Sequence, residues 1–183
     1  MSSKDFLSPS HEMPPLKDLP DDILVLIGRV IVKHSYLELV LSRICYLLAG
    51  VEPVVGRVAI REPRTSERFA MIEDLARIKD FKIDEDALKL LRRDLPKIAA
   101  IRDAYAHGIY FEHPTTGAHT IRITSGAWQP PGMTKGNIKR KLNPPTELID
   151  RKNLSDIVDL IDAVTGILEV IFTEIDQTFP AQP

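Results

Sequence analysis

The stretch that decides the architecture is Asp84–Gly108, DEDALKLLRRDLPKIAAIRDAYAHG. Leu88, Leu91, Leu95, Ile98, Arg102 and Tyr105 recur at spacings of three and four, the repeat of a single helix face. Asp84 stands where an N-cap belongs, and Gly108 stands where a helix ends in the usual C′ role. Pro96 falls inside the pattern. Either the helix kinks there, or it restarts with Asp94 as cap and Pro96 in the new first turn. Arg102 breaks the rule of the face, because the repeat reserves its place for an apolar side chain. A guanidinium does not shed its proton, so there it needs a fixed partner or a wet cleft.

Upstream, a long helix is expected from about Asp22 to Leu48, with Gly50 as its stop. It has two apolar stripes, Ile23, Leu26, Val30, Leu37, Leu41, Ile44 and Leu48 on one and Leu24, Ile27, Ile31, His34, Glu38 and Cys45 on the other. Such a helix is central to a core or also meets a second subunit. Residues 50–64, with two prolines and two glycines, read as a connection. A second helix starts with Thr65 or Ser66 as cap and ends near Asp80. Downstream of Gly108 the period changes. Ile109–His113 and His119–Thr124 are β-prone segments around a Pro-Thr-Thr-Gly turn, which is a hairpin signal. Residues 125–152 are rich in Pro, Gly and Asn, and a last helix opens at Asn153 or Ser155. The expected fold class is mainly α, a four-helix bundle with a small β-hairpin inserted before the last helix.

The chain has 183 residues, a length that suits one domain. The expected division is an acidic, Pro-rich arm over 1–21, a helical domain over 22–177 and a tail over 178–183. A formal charge of −2 excludes a molecule that binds nucleic acid over its whole surface. The most apolar stretch, residues 23–48, is interrupted by Arg29, Lys33, His34, Glu38 and Arg43. A membrane span needs about 20 mostly apolar residues, so a cytoplasmic protein without membrane association is expected. Cys45 is the only cysteine, which excludes a disulfide framework, and its apolar neighbours mark it as an inert buried thiol. The sequence has no Gly-rich phosphate loop, dinucleotide fingerprint, serine-nucleophile elbow or metalloprotease helix. No cofactor is expected, and no dense ligand motif supports a metal site built from His34, Glu38 and His107.

Chemistry gathers around Arg102. Asp103 and His107 are four apart and therefore neighbours on the helix surface, so Asp103 can hold one imidazole nitrogen and leave the other free. Arg102 and His107 are five apart, about 140° around the axis, and flank one edge of the helix. An oriented His is a general acid or base, and an Arg beside it clamps a phosphate and offsets charge developing in a transition state. With a ribose 2′-hydroxyl as nucleophile, this suffices to cleave RNA without metal. The plainer reading pairs Arg102 with an acid of the first helix for packing, and leaves His107 as a residue favoured by the helix dipole.

Arg102-Asp-Ala-Tyr-Ala-His107 resembles the HEPN superfamily motif of an Arg, a polar residue, a short spacer and a His. Tyr36-Leu-Glu38 is also similar to some bacterial branches of that family. The resemblance covers roughly residues 22–177 and leaves 109–152 outside the minimal fold. It implies a four- or five-helix domain that pairs as a homodimer, with two motif copies in one cleft. It also implies metal-independent endoribonuclease activity in a toxin or defence system. The alternative is a non-catalytic bundle that binds a protein or nucleotide partner, as a regulatory or antitoxin-like module. Arg102, Asp103 and His107 are the candidate catalytic residues. Glu38 is expected to position Arg102, with His34 at the cleft rim and Tyr110 lining it. Lys135, Lys139, Arg140 and Lys141 form a basic loop with Trp128, which can follow a phosphate backbone and stack a base.

Overall fold

The computed structural model describes residues 15–60, 63–112, 116–122 and 146–179. The chain is mainly α-helical: α1 (Asp21–Ala49), α2 (Pro53–Ile60), α3 (Thr65–Ile78), α4 (Glu85–His107) and α5 (Arg151–Thr178). Between α4 and α5 lie three short strands, β1 (Ile109–Glu112), β2 (His119–Arg122) and β3 (Thr146–Leu148). Its residues group into two compact units. One comprises residues 1–28 and 100–155, the other residues 29–99 and 156–183. Among the described residues no single helix is long and apolar enough to cross a membrane.

The helical unit, residues 29–99 and 156–183, is held by side chains that link α1 to α5 and α3 to α4. Lys33 of α1 donates to both carboxylate oxygens of Asp162 in α5, at 2.5 and 2.7 Å, and Tyr36 donates to Glu169 at 2.8 Å. Arg43 lies 5.0 Å over the Phe172 ring, within cation–π range. Arg92 of α4 donates through Nε to Glu73 of α3 at 2.9 Å. The core collects Val30, Leu37, Leu41, Ile44 and Leu48 from α1 with Phe69 and Ile72 from α3. Leu91, Leu95 and Ile98 of α4 and Ile161, Val164, Leu168 and Ile175 of α5 complete it. The three-and-four spacing of these residues turned each helix's apolar face inward.

Helix ends follow local chemistry. Gly50 takes φ 68°, and Gly50 and Val51 donate to the carbonyls of Leu47 and Tyr46, closing α1 with a Schellman turn. Asp84 caps α4 by accepting the Ala87 N–H at 2.9 Å. Pro96 lies inside α4, which runs unbroken to His107. Asp94 therefore caps nothing, and its buried carboxylate accepts from Arg93 (2.9 and 2.6 Å) and Lys97 (3.3 Å).

Three expectations need correction, and a fourth is met and extended. Residues 50–64 contain a helix, α2. Its Pro53 occupies the first helical position, where a missing N–H costs nothing. Gly56 is there for space, since a Cβ would come within 2.4 Å of the Tyr46 ring. The cap of α3 is Arg64, whose N–H donates to Glu67 at 2.8 Å. The Thr65 hydroxyl is committed elsewhere, to Glu38 at 2.9 Å. Gly108 does not take a positive φ, and its role is again close approach. A Cβ there would meet the Ile121 side chain at 2.4 Å and the Ala104 carbonyl at 2.6 Å.

The hairpin, finally, is part of a three-stranded antiparallel sheet in the order β1-β2-β3, with β3 beyond the expected pair. Tyr110 lies opposite Ile121, Glu112 opposite His119, and Thr120 opposite Leu148. The outer edge of β1 receives the N-terminal segment. Leu16 N–H donates to the Tyr110 carbonyl at 2.8 Å, and Pro15 forms an antiparallel bridge with Phe111. In the same unit Arg151 Nε lies 2.5 Å from Asp22.

Candidate active site

The last turns of α4 carry the motif. Ala104 faces the core of its unit, which turns Arg102 and Asp103 to the margin and leaves His107 exposed as the final helical residue. The Arg102 side chain is 29% exposed, so it lies in a partly wet environment. Its Nη1 donates to Asp103 Oδ1 at 2.9 Å. The carboxylate expected to orient the imidazole is therefore engaged by the guanidinium next to it.

Beyond His107 the chain reverses sharply. Gly108 N–H donates to the Ala104 carbonyl at 2.8 Å, and β1 begins at the next residue. Tyr110 then reaches back, its hydroxyl donating to the Tyr105 carbonyl. Burial first, and then Tyr105, push the Tyr110 hydroxyl up to about 12. It therefore remains a neutral donor at physiological pH. Tyr110 was expected to line a cleft. It clasps the start of the sheet to the last turn of the motif helix, which sets the direction in which the chain leaves His107.

Glu38 and His34 belong to the helical unit and sit among other partners. Glu38 Oε1 lies 3.0 Å from Arg68 Nη1 and accepts from Thr65. His34 is 1% exposed, with Nδ1 3.8 Å from Glu38 Oε2. It is a core residue and not a rim residue. Its spacing to Glu38 was right, but the face carrying both is covered by α3. Arg68, 11% exposed, escaped the sequence reading. Its signal was present all the same: Thr65, Arg68, Phe69, Ile72 and Ala76 share one buried face of α3, so Arg68 interrupts an apolar stripe just as Arg102 does. Cys45 completes the cluster, its Sγ donating to the Arg68 carbonyl at 3.5 Å. Burial pushes that thiol up to about 12, which leaves it unreactive at neutral pH.

A cleft of about 650 Å³ lies between α3 and the first half of α4, with Phe81, Ile83 and Leu88 among its apolar lining and Arg92 at its rim. None of the expected site residues lines it. Among the described residues no three of His, Cys, Asp and Glu gather as metal ligands. Trp128, Lys135, Lys139, Arg140 and Lys141 lie outside the described residues. Comparison of the chain with protein-family models, curated proteins and solved structures returns no match.

Proposed function

We propose that the protein is a HEPN-like, metal-independent endoribonuclease that acts as a homodimer. His107 takes or returns a proton, and Arg102 binds the scissile phosphate. Asp103 acts through Arg102, holding the guanidinium in orientation toward the phosphate oxygens. In the reaction the 2′-oxygen loses its proton to a base and bonds to phosphorus. The bond from phosphorus to the 5′-oxygen breaks, and that oxygen receives a proton from an acid. The products are a 2′,3′-cyclic phosphate and a 5′-hydroxyl end. One chain brings one His107, so a second copy supplies the other proton-transfer group.

The observation that carries this reading is an exposed imidazole ending the same helix on which a partly exposed Arg102 is held by its neighbouring carboxylate. The homodimer is supported by an apolar row left in solvent on the helical unit: Val32, Tyr36 and Leu39 of α1 with Val170 of α5. His107→Ala tests the proposal. Cleavage of single-stranded RNA should fall about 10²–10⁴-fold, the usual worth of a general acid or base, with the melting temperature and dimer mass unchanged. Undiminished cleavage in that variant, or a strict monomer at micromolar concentration with full activity, overturns the reading.

A further inference from the structure

The chain turns back immediately after the motif, and the turn brings a second arginine to its end. Gly108 follows His107, and a Cβ on it would meet the Ile121 side chain at 2.4 Å. The residue after Ile121 is Arg122, the last of β2. Its Cα is the partner of Ile109 in β1 and of Thr146 in β3. Paired Cα atoms lie about 5 Å apart, and two residues of chain span at most about 7 Å, so the Cα atoms of Arg122 and His107 lie within about 13 Å of each other.

Ile109, Arg122 and Thr146 form the last row of the sheet at this end. Alternation places that row on one face and Tyr110, Ile121 and Glu147 on the other. Ile121 is buried against Gly108, and the Tyr110 hydroxyl donates to the Tyr105 carbonyl, so the second face is turned to the end of α4. The first face reaches water at its last row, where Ile109 is 42% exposed. The register thus sets the neighbouring acid, Glu147, on the face that Arg122 does not share. The sequence that follows Arg122 is cationic as well. Residues 123–145 contain Lys135, Lys139, Arg140 and Lys141 and no acid, within a chain of formal charge −2. Such a local surplus attracts anions that the whole molecule does not.

A nuclease has to fix its strand beyond the bond it cuts, because a scissile phosphate free to swing is lost to its acid and base. We propose that Arg122, set by the β1–β2 register beside the His107 end of α4, binds a phosphate that flanks the scissile one. This rests on the nuclease reading for the identity of the ligand, and its test reads binding apart from cleavage. The full chain and its Arg122→Gln and Arg122→Lys variants are titrated into a fluorescent 2′-O-methyl oligonucleotide, which lacks the attacking hydroxyl, at several salt concentrations. Cleavage of the unmodified strand is followed in single turnover at saturating enzyme.

Arg122→Gln should weaken binding about three- to ten-fold at low salt, the worth of one contact to a phosphate. The slope of log affinity against log salt should fall by about 0.7, one phosphate's share for a single strand. The loss should be equal for unrelated sequences, since a phosphate carries no sequence information. Arg122→Lys should restore the slope, and cleavage at saturation should be unchanged in both variants. Unaltered affinity and slope in Arg122→Gln overturn the assignment and leave the nuclease standing. So does a loss that Arg122→Lys shares in full, which would report packing in β2. Binding that depends on Arg122 without cleavage by the parent keeps Arg122 and removes the nuclease. A parent that does not bind the oligonucleotide overturns both.

Discussion

Two arginines interrupt two apolar helix faces in this protein, and their surroundings differ. Arg68 on α3 is almost wholly buried. It meets a carboxylate from another helix, Glu38 of α1, at 3.0 Å, and its own carbonyl accepts the Cys45 thiol. Arg102 on α4 keeps more than a quarter of its side-chain surface and meets the residue beside it. A link between two helices constrains how they pack, so Arg68 is an element of the fold. A link between chain neighbours constrains only a rotamer. The Asp103 pairing orients the Arg102 guanidinium while its side chain stays partly in water, as the proposed phosphate clamp would need.

The comparison can be broken by substituting each arginine with Met, which retains much of the apolar stem. Arg102→Met should cost about 10²–10³-fold in RNA cleavage, the scale of a lost transition-state contact, and leave the urea midpoint nearly unchanged. Arg68→Met should do the reverse. It removes the cation facing Glu38 and should cost about 2–3 kcal/mol in stability, less than a fully buried pair because Glu38 is a quarter exposed. Chemical denaturation and single-turnover cleavage on both variants decide it. Equal stability losses would erase the distinction.

Gly108→Ala sharpens the comparison from the backbone side. The new Cβ would press on Ile121 and on the Ala104 carbonyl, and only the former can give way. A loss of about 1–3 kcal/mol is expected, together with reduced cleavage, because β1 and its Tyr110 clasp must shift against the end of α4. Differential amide exchange should localise the change to α4's last turn and the sheet. A variant as stable as the parent would show that the close approach is relaxed in solution.

Arg93 and Asp94 offer a second pairing of chain neighbours, in which the buried member is the carboxylate. The hydrogen bond from Arg93 holds the Asp94 carboxyl below the ordinary carboxylate range, with Lys97 adding to it and burial opposing. A depressed folded-state pKa means that this stabilisation is complete above the unfolded value of about 3.9. It is lost as pH falls through the lower folded value. Asp94→Asn should therefore be less stable than the parent at pH 7, by about 1 kcal/mol, with the two denaturation curves converging at acid pH. A gap that stays constant with pH would assign the effect to packing.

Much of the fold was legible because helical spacing is a local property. The stripes of α1 and α4 were readable directly, as were the Asp84 cap, the Gly50 stop and the β1–β2 pair. What escaped was of two kinds. Pro53 and Gly56 carry opposite meanings in a loop and at a helix start, and only the Tyr46 ring beneath Gly56 settles which applies. β3 is three residues long and exists by pairing with β2 across a long connection, a contact that no local period announces. At the candidate site the residue types were legible and their pairings were not. Spacing pointed Asp103 toward His107, and the structure adds the pairing of Asp103 with Arg102.

The order of apolar and polar residues was enough to dictate that this chain is mainly helical, where most of its helices run, and that Arg102 is an anomaly. It could not say that Arg68 was the same anomaly with the opposite fate, nor that residues 15–16 would close the edge of β1. Burial and partner choice are set by which distant segments come to lie against a side chain. A guanidinium carries the same charge and donors wherever it stands, and only the packed chain decides whether water or a neighbouring helix answers them.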